Sequence, residues 1–176
     1  GHIPGTLNIW MAGIPSFAGW FLNYDDPIIL VGEDDQERMN EAASYLYRIG
    51  YDKVEGYLAG GMFSWMKSGE KLGSIKTAPV EYLKESPEKE NRFILDVRKP
   101  GKADKVGKVK SSNNIFVGHL EDNLSEVPKD KEVVIYCESG YKTGIAGSIL
   151  KKNGYLDVRE IVGGMIAWQN AGYPLE

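Results

Sequence analysis

The chain repeats itself, and this repeat is the feature that most constrains how its 176 residues can fold. Residues 27–69 can be laid over residues 132–172 when one residue is adjusted in each of two loops. Both copies place an apolar run before a Gly-Tyr pair, and then a Gly-Gly-Met motif that leads to a tryptophan. A spacing of about 105 residues is far longer than the period of a solenoid, so the repeat predicts two similar domains.

Each copy alternates short apolar strands with helical stretches. In the first copy, residues 28–31 form a β-branched run, and the apolar residues of 35–49 recur at helical spacing. In the second copy, residues 158–162 have the composition of a strand and residues 165–171 that of a helix. This alternation predicts an α/β fold in which helices flank a parallel sheet in each domain.

The boundary between the copies is predicted from local signals. Residues 70–76 are the expected linker. Thr77 is expected to be the N-cap of the helix that follows, with Pro79 and Glu81 in the first turn of residues 80–85.

Cys137 is the only cysteine, and it follows the apolar run 133–135 at the expected end of a strand. A glycine-containing turn then leads into a helical pattern that ends near Asn153. Such a turn directs backbone N–H groups and partial positive charge inward, and Lys142 adds a full charge nearby. The arrangement favours a thiolate nucleophile beside a bound anion. The alternative interpretation is a small buried side chain with no chemical role.

Four motifs together resemble the rhodanese family of sulfurtransferases. They lie at residues 1–5, 94–98, 137–143 and 163–168, in the order of the family, and cover nearly the whole chain. The resemblance implies two rhodanese-like domains, each a parallel sheet flanked by helices. The first, residues 1–74, has no cysteine, and the second, residues 75–176, contains Cys137.

The first copy lacks the nucleophile and part of the domain. Gly32 stands in the place of Cys137, and the three acidic residues 33–35 that follow would repel an anionic sulfur donor. Compared with residues 77–106, about thirty residues have no counterpart before Gly1. We therefore expect residues 1–74 to be a catalytically inactive, N-terminally incomplete domain that a longer protein or another chain segment completes.

Residues 16–31 resemble a more specific group of proteins within this family. They are similar to the first rhodanese repeat of fusion proteins in which a metallo-β-lactamase-type persulfide dioxygenase precedes two rhodanese domains. This similarity implies such a domain as an upstream partner. The chain itself contains only His2 and His119 and no cluster with ligand spacing, so we expect neither a metal site nor a cofactor in it.

The resemblance also implies a role for each residue of the loop. Cys137 would take sulfur from thiosulfate or a low-molecular-weight persulfide and pass it, as a persulfide, to a thiol or cyanide. Asp96 and Arg98 would be a structural pair near the site. The amides and hydroxyls that hold the substrate would belong to Glu138, Ser139, Gly140, Tyr141, Lys142 and Thr143.

Two positions depart from the family pattern. Lys142 stands where arginine is common in the family. A lysine offers a bound anion a point charge instead of two parallel hydrogen bonds. The alternative interpretation is that Lys142 is a solvated surface lysine. Glu138 also stands where arginine is frequent, and its carboxylate opposes both a dianion and a neighbouring thiolate. We therefore predict weak use of thiosulfate and better use of a less charged or thiol-bearing persulfide.

Two other classes of function remain open. A tyrosine-phosphatase loop has arginine where Thr143 stands, and Lys142 comes one position too early. A non-catalytic rhodanese-like binding or regulatory module fits the first copy better than the second. The net charge of −4 and the lack of a long apolar run argue against nucleic acid and membrane partners, and a lone thiol suits the cytoplasm.

Overall fold

The computed structural model describes residues 1–85 and 91–176. It divides into unit 1, residues 1–4 and 9–74, and unit 2, residues 5–8 and 75–176. Each unit has a parallel sheet with helices packed against it, which confirms the predicted α/β class. None of the helices in these residues is long and apolar enough to cross a membrane.

Unit 1 is built on two parallel strands, β1 (Ile28–Leu30) and β2 (Val54–Tyr57). Three α-helices accompany them: α1 (Ile14–Phe17), α2 (Gln36–Arg48) and α3 (Gly61–Lys67). Short 3₁₀ turns lie at Met11–Gly13 and Ala18–Trp20. The buried core residues are Ile14, Ala18, Ala42, Leu46 and Tyr51.

One face of the sheet in unit 1 is open, whereas the matching face of unit 2 is covered. Ile29 is 58% exposed and its counterpart Val134 is 0% exposed; Tyr57 is 37% exposed and its counterpart Ile161 is 0% exposed. The first copy has no sequence that matches the segment covering this face in unit 2. That segment, within residues 77–106, contributes Ala78, Val80, Leu83 and Ile94 to the core of unit 2.

The described part of unit 2 contains a five-stranded parallel sheet in the order β3-β7-β6-β4-β5. The strands are β3 (Lys76–Ala78), β4 (Arg92–Asp96), β5 (Asn113–Asn114), β6 (Glu132–Tyr136) and β7 (Val158–Ile161). The helices are α4 (Glu81–Lys84), α5 (Pro100–Val106), α6 (Tyr141–Lys152) and α7 (Gly164–Asn170). Two 3₁₀ turns lie at Val117–His119 and Leu124–Glu126.

The central strand β6 positions the candidate site. Four of its five residues are buried, as expected for an inner strand of a parallel sheet covered on both faces. Asp96 at the end of β4 pairs with Tyr136 at the end of β6, so both strands end at the same edge. In open α/β sheets ligands bind outside the carboxyl ends of the strands, which is where Cys137 lies.

The prediction that Thr77 caps a helix is wrong. Thr77 lies within β3, where it pairs with Glu160 of β7. The helix α4 begins at Glu81, and Val80 is its N-cap residue without a side-chain cap bond. Pairing with a strand 83 positions along the chain determines this conformation, and a local capping signal contains no information about such a partner.

Candidate active site

Cys137 is the first residue after β6 and is 1% exposed. The N–H of Gly140 donates a hydrogen bond to its sulfur over 3.1 Å. The helix α6 begins one residue after Gly140. A sulfur that accepts a backbone N–H at the start of a helix is in a position where negative charge on it is stabilised.

Gly140 creates the turn between the thiol and α6. Its φ of 104° lies in the left-handed region, which favours glycine. Gly140 is also the N-cap position of α6, and among the described residues no side chain makes a cap hydrogen bond there. Because Gly140 has no side chain, the N-cap residue does not compete with an anion for the first-turn N–H groups of α6.

In the matching loop of unit 1, two carboxylates accept backbone N–H groups. Asp35 is the N-cap of α2 and accepts the N–H of Arg38 at 3.1 Å. Asp34 accepts the N–H of Gly60 at 3.0 Å. These side chains occupy backbone donors that an anionic substrate would use, and Gly32 provides no nucleophile.

The turn before α7 and the first residues of α7 contact the backbone of the Cys137 loop. The N–H groups of Met165 and Ile166 donate to the carbonyls of Cys137 and Glu138 at 2.8 and 3.0 Å. Gly164 has a φ of 54°, and a Cβ at this position would overlap the Cys137 carbonyl oxygen. The second glycine of the Gly-Gly-Met motif thus permits the close approach that fixes the loop backbone.

The other loop side chains differ in burial. Ser139 and Tyr141 are exposed, whereas Glu138 and Lys142 are half-buried. Within residues 1–85 and 91–176, neither Glu138 nor Lys142 forms an ion pair. Both charges therefore remain available to act on a bound anion, and with opposite sign.

Asp96 and Arg98 form a fully buried ion pair that contacts Tyr136, the residue before Cys137. The Nη2 of Arg98 donates to Oδ2 of Asp96 at 2.7 Å, and the Tyr136 hydroxyl donates to the same oxygen at 3.0 Å. Burial alone would lower the pKa of Arg98, but its hydrogen bonds to Asp96 and the charge of Asp96 raise it overall. Burial and the charge of Asp96 also raise the pKa of Tyr136. The network connects the residue before Cys137 to the end of β4.

Glu160 contacts the loop although no sequence motif marks it. The Thr143 hydroxyl lies 3.1 Å from Oε2 of Glu160 and 2.5 Å from the carbonyl oxygen of Gly140. Burial raises the pKa of Glu160, and the hydrogen bond from Thr143 offsets this only in part. The sequence contained one indication of this role: Glu160 is a carboxylate within a predicted strand, between the apolar residues Val158 and Ile161.

Two sequence comparisons identify relatives of the chain. The family model described as a rhodanese-like domain matches residues 1–68 and 79–171. A protein named sulfurtransferase from Allochromatium vinosum is 34% identical over 86 residues, which cover 49% of this chain and 79% of that protein. With other curated relatives that it matches, the chain spans 20% to 59% of their length.

Solved structures resemble more than half of the chain. A rhodanese-related protein from Thermoplasma volcanium aligns with a TM-score of 0.52 at 26% identity, covering 57% of this chain and 97% of that one. A protein of unknown function from Rhodopseudomonas palustris, described as a possible tyrosine phosphatase, aligns with a TM-score of 0.51 at 26% identity. That alignment covers 65% of this chain and 91% of the other.

Proposed function

The chain belongs to the rhodanese-like domain family, and we propose that it is a sulfurtransferase acting through a persulfide on Cys137. The observation that carries this proposal is the N–H of Gly140, which donates to the Cys137 sulfur directly before α6. The uncapped first turn of α6 suits the negative charge of a persulfide's outer sulfur. The sulfurtransferase name of a 34% identical relative supports the same reaction class.

The reaction proceeds in two displacements. The Cys137 thiolate attacks the outer sulfur of the donor, and the donor's sulfur–sulfur bond breaks as sulfite or a thiolate leaves with the electron pair. An acceptor thiolate or cyanide then attacks the outer sulfur of the persulfide and releases the Cys137 thiolate. Each step forms one bond to sulfur and breaks another, so neither step requires an external oxidant.

The loop charges favour a donor other than thiosulfate. The half-buried carboxylate of Glu138 opposes a dianion, and Lys142 offers only a point charge in compensation. Cys137 is only 1% exposed, so the donor must carry its sulfur at the end of a narrow group that can reach the thiol. A low-molecular-weight persulfide such as glutathione persulfide meets both requirements.

We further propose that unit 1 is non-catalytic and that the chain acts beside a metallo-β-lactamase-type persulfide dioxygenase domain. The carboxylates in the loop of unit 1 support the first statement. The similarity of residues 16–31 to such fusion proteins supports the second. The free thiol must stay reduced to react, which suits the cytoplasm.

Steady-state sulfur transfer to cyanide tests the proposal. With the native protein, varying donor and acceptor concentrations should give the parallel double-reciprocal lines of a ping-pong mechanism, and Cys137→Ser should give no thiocyanate. Thiocyanate formation by the variant at the native rate would overturn the proposal. Hydrolysis of p-nitrophenyl phosphate distinguishes the phosphatase alternative, and we expect none because Thr143 stands where that reaction requires arginine.

A non-catalytic binding module is distinguished by the reactivity of the thiol. Iodoacetamide at neutral pH should modify Cys137 faster than it modifies a cysteine in an unfolded peptide. Slower modification together with no sulfur transfer would favour the binding module.

A further inference from the structure

We infer that Glu160 is a positioning residue of the Cys137 loop, and that its protonation decides which acceptor the Thr143 hydroxyl bonds. The inference deepens the proposed sulfur transfer. It rests on that proposal in one respect: the step that Glu160 controls is the loading of sulfur onto Cys137. It starts from the two contacts of one hydroxyl group.

A threonine hydroxyl has a single proton, and here it lies between two oxygens. The Gly140 carbonyl is 2.5 Å from Oγ1 of Thr143, and Oε2 of Glu160 is 3.1 Å from it. A carbonyl can only accept, so the shorter contact requires the hydroxyl proton. Thr143 is within donating distance of both oxygens, so the Gly140 carbonyl and an ionised Glu160 compete for its one proton. A protonated Glu160 instead donates to Thr143 and leaves the hydroxyl proton to the Gly140 carbonyl.

Loss of the proton from Glu160 reverses this order. An ionised carboxylate is the stronger acceptor and would take the Thr143 hydroxyl proton. The Gly140 carbonyl would then face an oxygen without a proton between them, and it would have to move away. Gly140 is also the residue whose N–H donates to the Cys137 sulfur. The protonation state of Glu160 therefore affects the Cys137 sulfur through the Thr143 side chain and the turn at Gly140.

The ionised form would also add a negative charge near the loop. Glu160 lies under α6, where a Cβ on Gly147 would be 2.9 Å from its Oε1. Burial in this position raises the pKa of Glu160, so the protonated form persists above the pH at which an exposed glutamate ionises. A neutral carboxyl supports the turn without repelling an anionic sulfur.

The strands beside Glu160 present no ionisable partner in register. Its partners in the sheet are Thr77 on β3 and Ile135 on β6. The nearby cation of β3, Lys76, pairs with Asp157 at 2.8 Å.

On β7, the preceding residue Arg159 pairs with Glu132 at 2.8 Å. The first turn of α6 carries the charge of Lys142, and the loop before it carries that of Glu138. These two charges are present in every variant used below, so they do not account for a difference between native protein and Glu160→Gln.

The pH dependence of two Cys137 reactions tests the inference. Sulfur loading from glutathione persulfide and alkylation by iodoacetamide are measured between pH 5 and 9 with native protein, Glu160→Gln and Thr143→Val. The glutamine amide keeps the shape, carries no charge at any pH and can donate to Thr143 through its NH₂ group. We expect an inflection in both native profiles that is absent in Glu160→Gln, and loading at pH 8 at least about threefold faster in that variant.

Two controls separate this role from a general structural effect. Asp130→Asn removes an exposed carboxylate before the opposite end of β6 and should leave both profiles unchanged. In the Thr143→Val background, Glu160→Gln should alter the profiles less, because the connecting hydroxyl is gone and only the effect of the Glu160 charge remains. Identical profiles for native protein and Glu160→Gln, or an equal effect of Glu160→Gln with and without the Thr143 hydroxyl, would overturn the inference. The alkylation profile needs no sulfur donor, so it decides the role of Glu160 even where no sulfur is loaded at any pH and the proposed function fails.

Discussion

The N–H of Gly140 donates to the sulfur of Cys137 over 3.1 Å, which makes the thiol and the first turn of α6 one geometric unit. Backbone groups hold this unit on two sides: β6 ends at the residue before Cys137, and Met165 donates to the Cys137 carbonyl. The loop shape is therefore set mainly by glycines and amides. We propose that the charged side chains of the loop adjust which anion is accepted, and that the buried pair Asp96–Arg98 maintains the edge of the sheet.

Replacing Glu138 by glutamine should improve the use of thiosulfate. Two unit charges about 4 Å apart interact by about 1 kcal/mol in water and more strongly at a half-buried site, so we expect kcat/KM for thiosulfate to rise about five- to tenfold. The value for glutathione persulfide should change less than about twofold, because its outer sulfur carries less charge. Asp130→Asn removes an exposed carboxylate before the opposite end of β6 and is the matched control. A native preference for thiosulfate that Glu138→Gln leaves unaltered would show that this carboxylate does not select the donor.

Gly164→Ala should destabilise unit 2 more than Gly172→Ala does. Both glycines have left-handed φ values, 54° and 68°, so either substitution forces a strained backbone that costs about 1–2 kcal/mol. Only at Gly164 does the added Cβ also overlap the Cys137 carbonyl, whereas nothing lies within 4 Å of it at Gly172. We expect an additional loss of about 1–3 kcal/mol for Gly164→Ala, measured by hydrogen exchange of the β6 amides in urea. Equal losses for the two variants would contradict the close approach.

Asp96→Asn should be far more damaging than Tyr136→Phe. The first change leaves the buried Arg98 without its counterion, which costs about 3–5 kcal/mol. The second removes one hydroxyl and leaves its partners unsatisfied, at a cost of about 1–3 kcal/mol. The free energy of unfolding of each variant, obtained from urea denaturation, checks this order. A loss below about 1 kcal/mol for Asp96→Asn would show that the pair does not stabilise unit 2.

Glu160→Gln should stabilise unit 2 at pH 8 but not at pH 4. Because the pKa of Glu160 is higher in the folded protein than in the unfolded chain, its stabilising contribution is complete below the unfolded pKa and is lost as the pH rises through the folded pKa. Glutamine does not titrate, so the difference from native protein should grow with pH across that interval. Urea midpoints measured from pH 4 to 8 test this, and a difference that is constant with pH would contradict a raised pKa.

Local patterns were sufficient to predict much of the structure but not its long-range contacts. The buried run of β6, the turn at Gly140 and the helix after it follow from apolar composition and glycine placement, which are properties of adjacent residues. The position of Thr77 in β3 depends on its pairing with β7, and so it was predicted wrongly.

The contact of Glu160 with Thr143 likewise joins two elements that the sequence does not show to be adjacent. A charged residue in a predicted inner strand indicates that some polar group must face it, but not which one.

The most direct test of the central claim is the intact mass of the protein after brief exposure to glutathione persulfide and, separately, to thiosulfate. We expect the native protein to gain one sulfur atom, more completely with the persulfide, and to lose it when cyanide is added. Cys137→Ser should gain none. A native protein that gains no sulfur from either donor, or a Cys137→Ser variant that gains it equally, would contradict sulfur transfer through Cys137.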